Sequence, residues 1–486
     1  MASKSIKKNY IYNLLQQMLA LITPLITIPY ISRVIGAEGI GIYSYTSSVV
    51  LYFAMFAALG TISYGQREIS YVQDNKEKRT QVFWNTEIRC IITTTIVLCT
   101  YIPFILFQEQ YRLIYAILTI HIIDVIFNIS WFFMGMEEFG TIVRCNIIVR
   151  ILSLAFIFIC VKDANDLPIY VFGLTVVMLL GNLSLWPFLP KFIGRPKIKE
   201  IHPFKDFMVV LSMFVPTIAI SIYTVLDKIM IGVLTQNAAE NGFYDQSIKM
   251  SRMALTFVTA LGTVMVPRIG FLFEKKDQQQ IKMFMYRSYK FVGLLGIPLC
   301  LGIIGTASNF VPWFYGPGFD RVVPILSTLS LIIFAIGISN VTGVQYLVPT
   351  QRQNILTITV LIGAAFNFIC NLIFIPYYGA LGAAIASVLA EIIIAIVQLF
   401  VVRKELSCVT IIKGLIRYLI AGLFMLFILK LIGFYLKSSI LNTFILIVAG
   451  SAIYITVLVL LKDEFFITNV KNMKQIVKNK IHLGNG

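Results

Sequence analysis

Acidic residues are scarce: 23 Asp and Glu stand against 40 Lys and Arg, and the four charged types together make up 13% of the 486 residues. Soluble domains carry about a quarter charged residues, so this chain cannot clothe an ordinary water-facing surface. There is also no long polar segment and no Gly-rich phosphate loop of the P-loop type. A nucleotide-driven pump or a glycosyltransferase would need a substantial soluble domain for its nucleotide, and both are excluded. The three histidines, His121, His202 and His482, lack metal-ligand spacing. Seven cysteines make an odd number without a Cys-x-x-Cys pair, and in or beside apolar runs they read as small packing groups. No catalytic residue, metal, cofactor, nucleotide or nucleic acid is expected.

What the chain has is hydrophobicity, 58% of residues, in fourteen runs each near the roughly 20 residues that cross a bilayer as helix. The runs fall at 10–31, 40–62, 88–107, 113–135, 140–161, 168–190, 207–234, 252–272, 290–313, 322–347, 354–376, 379–402, 413–436 and 440–461. They are too long and too continuously apolar for barrel strands, which predicts an all-α polytopic membrane protein. The first run is full length and no small-residue cleavage site follows a short apolar core, so it is expected to be a span, not a signal peptide.

Lys and Arg concentrate in the head (Lys4, Lys7, Lys8), the even-numbered loops and the tail. Cytoplasmic loops collect such residues, so both termini are expected inside. The net charge of +17 then meets the anionic inner leaflet. In the tail, Ile467, Val470, Met473, Val477 and Ile481 recur at helical spacing among lysines, which fits an interfacial helix or a solvated basic tail.

Short matches recur at a nearly constant offset. Gly41-Ile42-Tyr43 answers Gly242-Phe243-Tyr244, and Ala58-Leu59-Gly60-Thr61 answers Ala260-Leu261-Gly262-Thr263. Asn128-Ile129-Ser130 answers Asn340-Val341-Thr342, Arg144-Cys145-Asn146-Ile147 answers Arg352-Gln353-Asn354-Ile355, and Phe158-Ile159-Cys160 answers Phe368-Ile369-Cys370. Their common order predicts two six-span lobes of like orientation: 1–190 (spans 1–6) and 207–402 (spans 7–12). A cytoplasmic linker at 191–206 joins them, spans 13 and 14 occupy 403–461, and 462–486 is a basic cytoplasmic tail.

Ionisable groups inside spans are costly and mark functional candidates. In span 8, Arg252, Thr256, Thr259 and Thr263 share one helical face, to meet substrate or, for Arg252, to pair with Asp227. Span 5 aligns Asn146, Arg150 and Ser153, with Arg150 about ten residues, roughly 15 Å, from the cytoplasmic side. Span 4 aligns His121, Asp124, Asn128 and Trp131, where a carboxylate one turn from an imidazole suits proton transfer or a static pair. Ser387, Glu391 and Gln398 align in span 12, and Pro216, Tyr223 and Asp227 in span 7 beside Lys228. Span 1 carries Asn13, Gln16, Gln17, Thr23 and Thr27 on one side, and Pro24 and Pro29 bend it into a natural gate. Lys430 is isolated and reads as structural or headgroup-binding.

The first span running into Pro29-Tyr30-Ile31-Ser32-Arg33-Val34-Ile35-Gly36, the stretch Asp227-Lys228-Ile229-Met230-Ile231-Gly232, Gly242-Phe243-Tyr244, Val266-Pro267-Arg268 and Pro376-Tyr377-Tyr378-Gly379-Ala380-Leu381-Gly382-Ala383-Ala384 carry a resemblance. Taken together they resemble the bacterial Wzx-type polysaccharide flippases of the multidrug/oligosaccharidyl-lipid/polysaccharide exporter superfamily. The resemblance covers essentially the whole chain. It implies transfer of an undecaprenyl-diphosphate-linked oligosaccharide from the inner to the outer leaflet of the bacterial cytoplasmic membrane, for capsule, exopolysaccharide or O-antigen assembly. Alternating access coupled to an ion gradient is implied, with polysaccharide polymerase and chain-length machinery as partners. Arg33, Arg150, Lys228 and Arg252 would then meet diphosphate, and Thr256, Thr259, Asn13 and Gln17 the sugars. His121, Asp124, Asp227 and Glu391 are the coupling candidates. A cation-coupled multidrug exporter and a lipid-linked peptidoglycan precursor flippase share the fold. Span 1 lacks the acid common in the first, while the second stays open. A polysaccharide polymerase or ligase would show a long outer loop, which is missing.

Overall fold

A computed structural model describes residues 6–196 and 198–472, and every regular element among them is helical. The chain divides into two compact units, 1–242 and 243–486. The first contains α1 (Ile6–Val34), α2 (Gly36–Ala58), α3 (Thr61–Tyr71), α4 (Lys76–Phe107), α5 (Arg112–Phe127), α6 (Ser130–Gly135), α7 (Phe139–Cys160), α8 (Leu167–Leu183) and α9 (Phe207–Thr235). α10 (Ala238–Thr259) begins at its edge. The second continues with α11 (Gly262–Glu274), α12 (Gln278–Tyr315), α13 (Val322–Leu329), α14 (Leu331–Thr342), α15 (Gln353–Tyr378), α16 (Ala380–Val402), α17 (Cys408–Tyr435) and α18 (Ile440–Leu460). Among the described residues, twelve helical segments are long and apolar enough to cross a membrane. The expected first and seventh spans are the 29-residue helices α1 and α9.

Two of the five recurring motifs coincide with helix breaks. Ala-Leu-Gly-Thr separates α2 from α3, where Leu59 and Gly60 turn left-handed (φ 39° and 71°). Its second copy separates α10 from α11, with Leu261 still right-handed. Asn-Ile-Ser separates α5 from α6, and the Asn128 side-chain oxygen accepts from the Ser130 amide and hydroxyl. In the matching Asn-Val-Thr, α14 passes into a π turn at Gly343–Leu347, and the Asn340 side chain accepts from Gln345. A broken helix frees backbone donors, and an adjacent amide side chain restores polar partners locally.

Two expectations change shape. Span 3, expected at 88–107, is the second part of α4, which starts at Lys76 behind an Asn75 cap. Its polar first half holds the expected linker as a strap. Arg79 donates to the Phe192 carbonyl, the Gly194 amide to Thr80, Gln81 to the Glu200 carbonyl, and the His202 amide to Asn85. Beyond the strap, α9 packs on α2 and α3 within the first unit. The described part of the tail is helical from 464 to 472, capped by Asp463 accepting from the Phe466 amide; the remainder of the expected tail helix lies outside the described residues.

In the second unit, Arg352 meets Glu405 through two parallel bonds of 2.8 Å, and Tyr346 donates to the same carboxylate. Burial pushes the Glu405 carboxyl up, but the Arg352 and Tyr346 hydrogen bonds and the Arg352 charge outweigh it and hold the group below its ordinary value. A depressed carboxylate contributes stability above its unfolded value of about 4.3, lost as pH falls through its folded one. Arg352→Gln should therefore cost about 1 kcal/mol near neutrality, the pair being partly exposed. Thermal unfolding of the purified protein should show that difference close as pH falls toward about 3; a gap unchanged with pH would place the cost elsewhere.

Candidate functional site

In the first unit, Asp124 is buried on α5, and Asn182 of α8 donates to both its oxygens at 2.8 and 2.9 Å. No hydrogen bond joins Asp124 to His121 among the described residues; the partner comes from another helix. Arg150 of α7 points its Nη1 at α1, 3.4 Å from the Leu19 carbonyl and 3.5 Å from the Thr23 hydroxyl. That contact lies one turn before Pro24, where the helix already lacks a backbone donor. Arg33 donates to the Pro29 carbonyl. Asp227 is buried and Lys228 half-buried on α9. Asn13 and Gln17 fall within α1, but their side chains lie outside the described residues, as do those of Pro216 and Tyr223.

In the second unit Arg252, Thr256 and Thr259 lie on α10, whereas Thr263, expected on the same helix, lies past the break on α11. Arg252, Thr256 and Thr263 are exposed and Thr259 is half-buried. The Arg252 side chain makes no hydrogen bond or ion pair among the described residues, so its guanidinium is available. The three threonine hydroxyls donate to carbonyls of their own helix turn, at Arg252, Leu255 and Ala260, leaving their lone pairs for a ligand's donors. Ser387, Glu391 and Gln398 are all buried along one side of α16. Ser387 pairs with the Tyr244 hydroxyl at 3.0 Å, and Gln398 donates to Thr359.

Sequence reasoning missed three groups. Glu87 and Arg89, each 1% exposed, sit on α4. Residues two apart on a helix do not face each other, and they do not pair. Arg89 lies 4.6 Å over the Tyr64 ring and reaches the Pro203 carbonyl at 3.3 Å, while Tyr64 bonds Asp206. A span boundary set at residue 88 put Glu87 outside the membrane and left Arg89 in the span's first turn, where a cation reads as the end of a loop. Asn367 and Asn371, wholly buried and bonded to each other on α15, were visible as an i, i+4 amide pair. Asp245, buried and bridged to Lys249 at 2.5 Å, had been assigned to a loop.

A model of the family described as polysaccharide biosynthesis protein matches residues 6–273, more than half of the chain. The chain belongs to that family. It is 23% identical over 408 residues to a putative O-antigen transporter of Escherichia coli K12, covering 82% of this chain and 97% of that protein. Its fold is similar to that of the lipid II flippase MurJ in an inward closed conformation, with TM-score 0.72 and 18% identity over 92% of this chain and 97% of that one. An inward-facing multidrug resistance transporter of the MATE family, in the MOP superfamily, follows at TM-score 0.56 and 12% identity, covering 84% and 99%. The expected all-α polytopic architecture is met, in a family described by polysaccharide biosynthesis.

Removing Asn182 leaves the Asp124 carboxylate buried without its donor. Asn182→Leu should lower stability by on the order of 1.5–3 kcal/mol, read by thermal unfolding in detergent. Adding Asp124→Leu should recover most of the loss, because removing both partners leaves nothing unpaired. Additive losses would mean that the two side chains act separately.

Proposed function

We propose that this protein carries an undecaprenyl-diphosphate-linked oligosaccharide from the inner to the outer leaflet of a bacterial cytoplasmic membrane by alternating access. The observation that carries the reading is the match to a putative O-antigen transporter over 97% of that protein's length, within a family described by polysaccharide biosynthesis. The chemistry of the chain supports it. A diphosphate needs cationic hydrogen-bond donors, and Arg150 and the exposed Arg252 offer guanidiniums within helices. The threonine stripe beyond Arg252 supplies the hydroxyl acceptors that a sugar needs. A polymerase and chain-length machinery would then receive the product. The fold shared with a lipid II flippase favours a peptidoglycan precursor as the competing substrate.

Transport is proposed to draw on an ion gradient, with Asp124 or Glu391 as the titrating group. In vesicles loaded with lipid-linked oligosaccharide, Arg150→Ala or Arg252→Ala should cut flipping by about ten- to a hundredfold, equivalent to a lost charged contact of roughly 1.5–3 kcal/mol. Collapse of the gradient should stop the wild type, and Asp124→Asn or Glu391→Gln should lose that dependence. Full activity in both arginine variants makes the arginines structural, flipping that survives collapse makes the carrier passive, and preference for lipid II moves the protein to peptidoglycan assembly.

Fourteen spans with both termini inside complete the reading, supported by the cationic even-numbered loops. Single cysteines at Asn75 and Gln279 should be shielded from an impermeant maleimide in intact cells, and those at Gln110 and Asn237 labelled. The reverse pattern inverts the topology.

A further inference from the structure

A cavity of about 410 Å³ opens in the first unit where α2 begins, α9 ends and α10 begins. Two tyrosines, Tyr45 and Tyr111, and three amides, Gln110, Gln236 and Asn241, line it together with apolar and backbone groups, and none of its lining residues is charged. The volume lies within the roughly 300–1,000 Å³ of small-molecule sites.

Asn241 decides what the cavity is for. It is 0% exposed, and neither its Oδ1 nor its Nδ2 has a hydrogen-bond partner among the described residues. A buried amide left in that state costs about 1–3 kcal/mol for each unmade bond, so a ligand offering both a donor and an acceptor gains what the protein alone forgoes. Gln110 and Gln236, both exposed at the rim, offer the same two-way bonding, and the tyrosine rings offer apolar faces with polar tips.

The wall around Asn241 is stiff. An added Cβ at Gly41 would fall 1.6 Å from the Ala238 carbonyl oxygen, and one at Gly242 would fall 2.0 Å from that of Ala37. The two copies of the repeated glycine thus each sit against the residue four before the other, Ala37…Gly41 facing Ala238…Gly242, and the helix backbones touch. Small residues at this spacing permit such an approach. Gly232 carries the Tyr45 ring in the same way, with an added Cβ 2.3 Å from Tyr45 Cδ2.

We propose that this cavity is a subsite for an uncharged sugar ring. Hydroxyls that both donate and accept match the amides, the C–H face of the ring matches a tyrosine, and the missing cation excludes phosphate and carboxylate as the preferred occupant. The source of the ring, a glycan newly delivered to the outer side, rests on the flippase reading and on the topology proposed with it. The binding chemistry itself does not.

The test uses the purified full chain in lipid nanodiscs, with no gradient and no lipid-linked substrate. Saturation-transfer NMR with methyl β-galactoside and methyl N-acetylglucosaminide should show binding, and glucuronate and inorganic phosphate should show none. Asn241→Leu and Gln236→Ala should each weaken glycoside binding by roughly tenfold. Gln236 is exposed, so its variant keeps the test sound if Asn241→Leu fails to fold. No glycoside signal, equal binding by folded variants, or stronger binding of the anions would each overturn the subsite and leave water as the partner of Asn241. A protein that binds glycoside but flips nothing keeps this subsite and loses the flippase reading; the converse result does the opposite.

Discussion

Backbone hydrogen bonding in a medium without water constrains every other feature of this chain. A helix satisfies its own amides and carbonyls across the hydrocarbon, whereas any interruption releases groups that lipid cannot bond. This protein nonetheless interrupts its helices, and the partners it supplies there are local. Gly60 turns left-handed where α3 begins, Leu261 stays right-handed before α11, Asn128 accepts from the Ser130 amide, and Asn340 accepts from the Gln345 side chain. Two of the five recurring motifs therefore mark the points where straight helix gives way.

The same constraint explains what the sequence made legible. Continuous apolar runs produced helices at the expected places, because length and hydropathy are properties of one segment. Stripes were legible too: Ser387, Glu391 and Gln398 share a buried side of α16, and Arg252 and Thr256 are exposed one turn apart on α10. Partners were not. His121 stands one turn from Asp124 in sequence, but the donor is Asn182 from α8, since periodicity gives the face of a helix and says nothing about the helix it meets. The cavity around Asn241 was hidden for the same reason, being assembled from segments far apart in the chain.

Polar residues at the end of an apolar run were the other blind spot. Residues 76–87 look like loop by composition, yet they extend α4 and bond the carbonyls and amides of the strap at 191–206. The strap buries Ile193 and packs Phe192 against Phe132 and Phe133, and hydrogen bonds between its backbone and α4 side chains, each worth about 1 kcal/mol net, add to that hold. Their number and their regular placement along one helix make the segment an ordered part of the first unit, where a linker was expected.

The two units differ in the form of their helix breaks more than in how they treat buried polarity. The first copy turns sharply, with Leu59 and Gly60 in left-handed backbone, and its buried acid Asp124 is bonded to an amide from a different helix. The second bends gently through right-handed residues and a π turn, and its buried groups bond both along one helix, Asn371 to Asn367, and between helices, Gln398 to Thr359 and Ser387 to Tyr244. Bonds between helices fix those helices to one another, whereas bonds along one helix leave it able to shift against its neighbours. Both units are therefore pinned by polar bonds between helices, through Asp124 and Asn182 in the first and through Gln398 and Thr359 in the second.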